Sequence, residues 1–103
     1  MAKFKLNPDP TFKAKVAIPV PGSAPAKVEF TFKHKTRQEV LKWLDDRKED
    51  DEVAVFRDMV AGWELDDEFS DDNIRRLCDN YPGAGVAVLS VYLDELRGAR
   101  VGN

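Results

Sequence analysis

The side chains that most often carry out catalysis or bind metal ions are scarce in this 103-residue chain. Cys78 is the only cysteine and His34 the only histidine, so an internal disulfide or a zinc-binding thiolate cluster cannot be assembled. Cys78 shares an apolar register with Ile74 and Leu77, which predicts a small buried side chain. His34 stands at a lysine-rich strand end, where a solvated residue is expected. We therefore expect a non-enzymatic protein without a metal ion or a cofactor.

The acidic run at residues 45–52 could suggest a site for a divalent cation. A calcium-binding loop needs regularly alternating ligands, a glycine at its turn and a bidentate glutamate at its twelfth position. Counted from Asp45, the glycine position is occupied by Asp50, and the twelfth position does not hold a glutamate. The run therefore predicts a charged junction between two helices.

Residues 63–69 combine three bulky apolar side chains, Trp63, Leu65 and Phe69, with four acids. In one interpretation the segment is a docking loop, in which the aromatic side chains anchor a partner and the acids attract a basic one. In the other, the aromatic side chains turn inward to cap a helical core while the acids stay in water. Both interpretations remain open at the level of the sequence.

Charge is divided between the two ends of the chain. Residues 1–37 contain eight basic and two acidic residues, a net charge of +6, and residues 38–103 contain eight basic and seventeen acidic residues, a net charge of −9. A positive N-terminal face could meet the negative face of another copy, a heterologous contact that builds rings or spirals. Alternatively, the two faces oppose each other within one monomer. Only the first arrangement predicts a strongly salt-sensitive oligomer.

Two segments with a period of two residues predict a β-hairpin. An extended arm over residues 1–11 leads into runs at residues 12–18 and 28–35, in which apolar and mostly basic residues alternate. Proline and glycine dominate residues 19–25 between them. We expect an antiparallel hairpin with an apolar face and a basic face.

Four short helices are expected after the hairpin. Thr36 and Glu39 form a capping box at the start of the first helix, and the second is expected over residues 51–61. The other boundary residues are Gly62 as the C-cap of the second helix, Ser70 as the N-cap of the third, Pro82 at the first position of the fourth and Gly98 at its end.

A single α+β domain is expected over residues 1–103, because the apolar faces of the hairpin and the helices need each other. The arm and basic hairpin (residues 1–35) would pack on an acidic bundle of about four short helices (residues 36–103). The last helix is apolar over much of its circumference, which hints at a partner or a second copy. Because no apolar run approaches the roughly 20 residues of a membrane span, and the chain start lacks the apolar core of a secretory signal, we expect a cytoplasmic protein.

Over residues 40–103, the order and spacing of the residues resemble the C-terminal half of the tail assembly chaperones of long-tailed bacteriophages. The shared features are an aromatic residue after an acidic helix (Trp63), an acidic linker to Phe69, a helix ending in Tyr81-Pro82 and a final helix that carries Tyr92. The chain is similar to the short, prophage-type form of the family, many members of which also have a longer frameshifted form. The basic hairpin departs from an all-helical version of the family pattern.

The resemblance implies a non-enzymatic helper that coats the tape-measure protein, keeps its hydrophobic helices soluble and recruits tail-tube subunits. Such a helper is absent from the finished virion, and the family has no catalytic or cofactor-binding residues to transfer. By position, Trp63, Phe69, Tyr81 and Tyr92 are expected to contact a partner, with core packing as their alternative role.

Two other functions fit the same sequence. A small regulatory or adaptor domain would contact nucleic acid through Lys13, Lys15 and Lys33. However, Phe30 and Phe32 lie on the opposite face of the hairpin, where they cannot stack on bases bound to the lysines. The acidic remainder of the chain also argues against nucleic acid. A structural tail component would instead be found in purified particles.

Overall fold

The computed structural model describes residues 4–46 and 51–98, which form a sheet with helices packed on one of its faces. The elements, in chain order, are β1 (Thr11–Ile18), β2 (Ala26–Lys33), α1 (Arg37–Asp46), α2 (Glu52–Met59), β3 (Val60–Trp63), α3 (Asp71–Asn80) and α4 (Ala84–Arg97). The predicted α+β class, an antiparallel sheet combined with four short helices, is confirmed. The predicted charged junction falls mainly on residues 47–50, outside the described residues.

The predicted hairpin is formed by β1 and β2, which pair antiparallel with Phe12 opposite Phe32 and Val16 opposite Val28. The alternation in the sequence matches the two faces of the sheet. Val16, Phe30 and Phe32 have no exposed surface, whereas the lysines of both strands lie exposed on the other face. Burial of one face thus fixes the register, since a slip by one residue would turn the lysines into the core.

A third strand replaces the predicted end of the second helix. The sequence pattern extended that helix over residues 51–61 with Gly62 as its C-cap, but α2 ends at Met59 and Val60 adopts an extended backbone conformation. The following residues pair antiparallel with β2, Trp63 opposite Phe30 and Val60 opposite Phe32. The free edge of β2 supplies backbone hydrogen bonds that a longer helix would have to forgo. Because β3 covers this edge, β2 becomes the central strand of the sheet.

Side-chain caps define the helix starts at the predicted places. The backbone N–H of Thr36 donates to Glu39 Oε1 at 2.8 Å, and the N–H of Glu39 donates to Thr36 Oγ1 at 3.2 Å, which completes the capping box. Ser70 Oγ accepts from the N–H of Asn73 at 3.2 Å. Gly98 ends α4 in the left-handed conformation, at φ 66°, which glycine adopts without steric cost.

The start of α4 differs from the prediction. Pro82 was expected at the first helical position, but the helix begins at Ala84 with Gly83 as its N-cap. Ala84 N–H donates to the Tyr81 carbonyl oxygen at 2.8 Å, so Pro82 and Gly83 form a turn. A Cβ on Gly83 would lie 3.1 Å from Cγ of Pro19, so the turn packs closely on the hairpin loop. This tertiary contact accompanies the later helix start.

A stacked aromatic cluster joins the sheet to α4. The Phe32 ring lies between Phe12 and Tyr92, with ring centroids 5.5 Å and 5.3 Å away. Trp43 of α1 packs edge-on against Tyr92 at 5.9 Å. Tyr92 is fully buried, and its hydroxyl donates to the Lys33 carbonyl oxygen at 2.7 Å. Burial raises the pKa of Tyr92 above its ordinary value, so the phenol remains a neutral donor.

We expect the substitution Tyr92→Phe to destabilise the fold by about 1–2 kcal/mol, because it leaves the Lys33 carbonyl oxygen without this donor. Thermal unfolding followed by circular dichroism measures the effect. Tyr81→Phe is the matched control, since Tyr81 lies at the surface, and it should change the free energy of unfolding by no more than about 0.5 kcal/mol. Equal destabilisation by the two substitutions would contradict a structural role for the Tyr92 hydroxyl.

Candidate functional site

The four aromatic residues expected to contact a partner lie in two parts of the structure. Trp63 ends β3, Phe69 lies in the loop before α3 and Tyr81 directly follows α3. Trp63 and Tyr81 line one groove, and Phe69 packs edge-on against the Trp63 ring with centroids 5.1 Å apart. Tyr92 is instead buried in the aromatic cluster around Phe32 and offers no surface to a partner in this conformation. Contact of these side chains with a partner stays a prediction.

The groove has a volume of about 370 Å³ and lies between the turn end of the β1–β2 hairpin, the segment after β3, and α3. Besides Trp63 and Tyr81, its apolar lining consists of Ile18, Val20, Ala26, Val28, Leu65 and Leu77. Its polar lining consists of Asp67, Asn73, Arg76 and Asn80. A concave, mainly apolar surface with a few polar groups is the usual form of a binding site. We refer to this surface as the groove.

Hydrogen bonds hold the acidic segment at residues 64–68 along one wall of the groove. The indole Nε1 of Trp63 donates to the Asp67 carbonyl oxygen at 2.8 Å. Nδ2 of Asn73, on α3, donates to the Glu68 carbonyl oxygen at 2.7 Å. The N–H of Glu64 also donates to the Glu29 carbonyl oxygen at 3.1 Å, and the N–H of Glu29 donates to Glu64 Oε2 at 2.7 Å. The segment is thereby held to the sheet at its start and to α3 at its end. Its acidic side chains remain at the surface.

Trp63 belongs both to the core and to the groove. Its ring packs edge-on against Phe30 and Phe56, with centroids 6.4 Å and 6.5 Å away. Phe69 packs behind it, and the Arg57 guanidinium covers the Phe69 ring at 5.0 Å. The two interpretations of residues 63–69, inward packing and a docking loop, are therefore compatible. The Trp63 indole packs against the core and also borders the open groove.

Negative charge predominates along the acidic wall. Asp66, Asp67 and Glu68 are exposed, and within residues 4–46 and 51–98 none of them forms an ion pair. The Arg76 guanidinium is the cation in the lining, and it donates to Oδ1 of Asn73 at 2.8 Å. The charged residues of the lining itself are Asp67 and Arg76, so a preference for basic groups on a ligand applies to the side of the acidic segment and not to the whole groove.

The sequence pattern points to Trp63, Leu65 and Tyr81 but does not predict the side of the groove formed by α3. Asn73, Arg76 and Leu77 face it, as does Asn80. Their spacing of three, four and seven residues from the first to each of the others indicates one face of a helix. That signal was present in the sequence, but only the tertiary structure shows that the face lies opposite Trp63.

The lysines of the hairpin form a separate surface, which we call the basic face: Lys13, Lys15, Lys27 and Lys33. All four are exposed, and the register places them on the side of the sheet opposite the buried phenylalanines. Glu29 and the threonines of the two strands separate them. The basic face thus has no aromatic side chain on which a nucleic acid base could stack.

No cluster of three or more His, Cys, Asp or Glu side chains within the described ranges is placed to hold a metal ion. Cys78 is buried. Burial raises the pKa of its thiol to about 12, with nearby Glu52 adding to the shift by its charge and a hydrogen bond. A thiol in this setting is protonated at neutral pH and is a poor nucleophile.

A family model described as phage tail assembly chaperone matches residues 1–103, the whole chain. No curated protein matches the chain, and no solved structure matches it. Within the part of the chain that the structure describes, no helix is long and apolar enough to cross a membrane.

We expect Cys78 to resist alkylation by iodoacetamide at pH 8 in the folded protein and to react rapidly in denaturant. Folding raises the pKa of the thiol from 9.0 to about 12, so very little reactive thiolate is present at pH 8. The same shift means that the protonated thiol stabilises the folded state fully below pH 9, and that this contribution to the free energy of unfolding is lost as the pH rises towards 12. Mass spectrometry of the labelled protein measures the reaction. Rapid labelling without denaturant would contradict the buried placement.

Proposed function

This chain belongs to the phage tail assembly chaperone family, and we propose from that premise that it binds the tape-measure protein, keeps it soluble and helps to recruit tail-tube subunits. The proposal assigns it no catalytic role. It also assigns the chain to the host cytoplasm during tail assembly and leaves it out of the mature virion. The family match over residues 1–103 is the observation that carries the proposal.

The groove supports a chaperone role of the shielding kind. Its open apolar lining can cover apolar side chains of a client helix, which removes them from water. Leu65 and Tyr81 are each 36% exposed, so part of the apolar surface is accessible before a client binds. A groove of about 370 Å³ holds only a few side chains, so each contact would be weak. Many weak contacts along a long client give firm but displaceable binding.

Trp63 and Tyr81 are the proposed contact residues, one on each side of the groove. Phe69 is proposed to act through Trp63, because its ring supports the indole from behind. Tyr92 is proposed to act through the core, where it holds α4 on the sheet. Tail-tube subunits would then displace these contacts during polymerisation, since an exchange of weak contacts needs no energy source.

Self-association is the second part of the proposal. The basic face and the acidic wall of the groove carry opposite charge and belong to different elements of the fold. A heterologous contact between positive and negative surfaces of successive copies would produce rings or spirals around a long client. The opposite charges of the two surfaces would also increase the rate at which copies associate.

We expect co-expression to make the tape-measure protein from the same gene cluster soluble and to let the two proteins co-purify. Leu65→Asp should weaken the complex by about tenfold or more, since a charge would enter the apolar lining. Leu41→Asp is the matched control, because Leu41 is 61% exposed and lies outside the groove. Pull-down from the soluble fraction measures the complex. An insoluble tape-measure protein, with this chain eluting alone, would refute the proposal, and salt-sensitive nucleic acid binding lost in Lys15→Glu would favour the adaptor function.

We expect self-association to weaken between 0.1 M and 1 M NaCl, because the screening length falls from about 10 Å to about 3 Å. Sedimentation velocity over a range of protein concentrations measures the oligomeric state. Lys15→Glu, on the basic face, should reduce association at low salt and make it less dependent on salt. Association of equal strength at both salt concentrations would contradict a contact driven by charge.

A further inference from the structure

The N-terminal arm carries the most exposed large apolar side chains in the described part of the chain. Phe4 is 90% exposed and Leu6 is 88% exposed. They alternate with Lys5, so an extended backbone would direct both apolar side chains to one side and the lysine to the other. Exposed apolar side chains that alternate with a basic one are a feature of segments that bind a partner in extended form.

The base of the arm is fixed to the open end of the hairpin. The backbone N–H of His34 donates to the Pro10 carbonyl oxygen at 2.9 Å, and β1 begins directly after Pro10, at Thr11. Pro8 and Pro10 restrict the backbone to extended conformations and remove two hydrogen-bond donors. Lys5 forms an ion pair with Asp9 at 3.1 Å, but both side chains are exposed and such a pair is easily exchanged.

The groove lies at the opposite end of the same hairpin. Ile18 ends β1 and Ala26 begins β2, and both side chains line the groove. The length of β1 is about 23 Å. An arm that turned back at Pro10 would carry the Cα of Phe4 at most about 21 Å and that of Leu6 about 14 Å. Leu6 therefore cannot reach the Ile18 end of the groove of its own chain, although the Trp63 side lies nearer to Pro10, so the arm cannot fill its own groove along its whole length.

The arm and the groove match in chemistry. Phe4 and Leu6 supply two large apolar side chains, and the groove offers an open apolar lining of about 370 Å³. Lys5 supplies positive charge between them. Asp67 of the lining and the neighbouring Asp66 are exposed and form no ion pair in the described residues, and Arg76 is the cation of the lining. An apolar ligand with an adjacent lysine is what the charge of this wall favours.

We propose that the arm of one copy occupies the groove of a second copy. Donor and acceptor lie at opposite ends of the hairpin, so the contact is heterologous and leaves a free arm at one end of the assembly and a free groove at the other. This inference rests on the self-association in the proposed function and adds the arm to its charged contact: the arm enters the groove of the copy whose acidic wall meets the basic face. The arm and the client then compete, because both use the groove, whereas the charged surfaces remain free to hold the copies together. The tape-measure helix would displace the arm of the neighbouring copy.

The test uses two variants of the full chain. One has an altered arm and an intact groove, and the other has an intact arm and an altered groove. The arm variant is Phe4→Asp/Leu6→Asp and the groove variant is Leu65→Asp. Each alone should associate at least about tenfold more weakly than the unaltered chain in sedimentation velocity. An equimolar mixture should form dimers that do not grow further, because the arm variant still offers a groove and the groove variant still offers an arm. Leu41→Asp, at an exposed apolar position on α1, should associate like the unaltered chain.

Circular dichroism and thermal unfolding of each variant show whether the fold is retained. The inference is overturned if the unaltered chain stays monomeric, if the arm variant assembles normally, or if the mixture of folded variants forms no dimer. Co-expression with the tape-measure protein distinguishes failure of the arm contact from failure of the proposed function. The arm variant should still make that protein soluble. If the client stays insoluble while the dimers form, the proposed function fails and the arm contact stands.

Discussion

The sheet and the helices are held together through the buried inner face of β2. Phe30 and Phe32 have no exposed surface, and their rings lie 6.1 Å apart on the central strand. Phe32 stacks on Tyr92 and thereby holds α4. Phe30 packs edge-on against Phe56 and Trp63 and thereby positions α2 and β3. Both aromatic clusters depend on these two rings, so hydrophobic burial at one strand organises the sheet and the helices together.

The groove is a consequence of this packing. Pairing of β3 with β2 places Trp63 opposite Phe30, which brings the acidic segment after β3 to the turn end of the hairpin. The opposite wall is α3, whose N-cap Ser70 follows directly on Phe69. The groove is therefore built where the sheet ends and the helices begin, with Trp63 between the core and the groove. A preformed surface of this kind has less conformational entropy to lose when a partner binds.

The exposed apolar arm and the acidic wall lie at opposite ends of the hairpin, so the two ends of the molecule differ. The exposed arm lies at the open end of the hairpin, and the groove with its acidic wall lies at the turn end. If copies coat a long client as we propose, a head-to-tail contact would add them in one direction along the client, whereas an isologous contact would stop at two copies. Competition between arm and client for one groove would let the client replace the arm, while the contact between the basic face and the acidic wall would still hold the copies along the client.

Features that depend on neighbouring residues could be predicted from the sequence. The period of two gave β1 and β2, and Thr36, Ser70 and Gly98 gave helix ends that the structure confirms. Local chemistry decides these, because a strand face or a helix cap is specified within a few residues. The aromatic and acidic composition at residues 63–69 also pointed to one wall of the groove. The identity of its other wall, on α3, was not predicted.

Features that depend on distant partners became evident only in the folded chain. The segment that begins at Val60 continues a helical pattern in the sequence, but the edge of β2 lies beside it and offers hydrogen bonds, so it becomes β3. The sequence predicts the same role, contact with a partner, for Tyr81 and Tyr92. In the structure Tyr81 lines the groove, whereas Tyr92 is buried in the core. The physical reason is that burial and strand pairing depend on which surfaces meet in space, and sequence periodicity records only which side of an element is apolar.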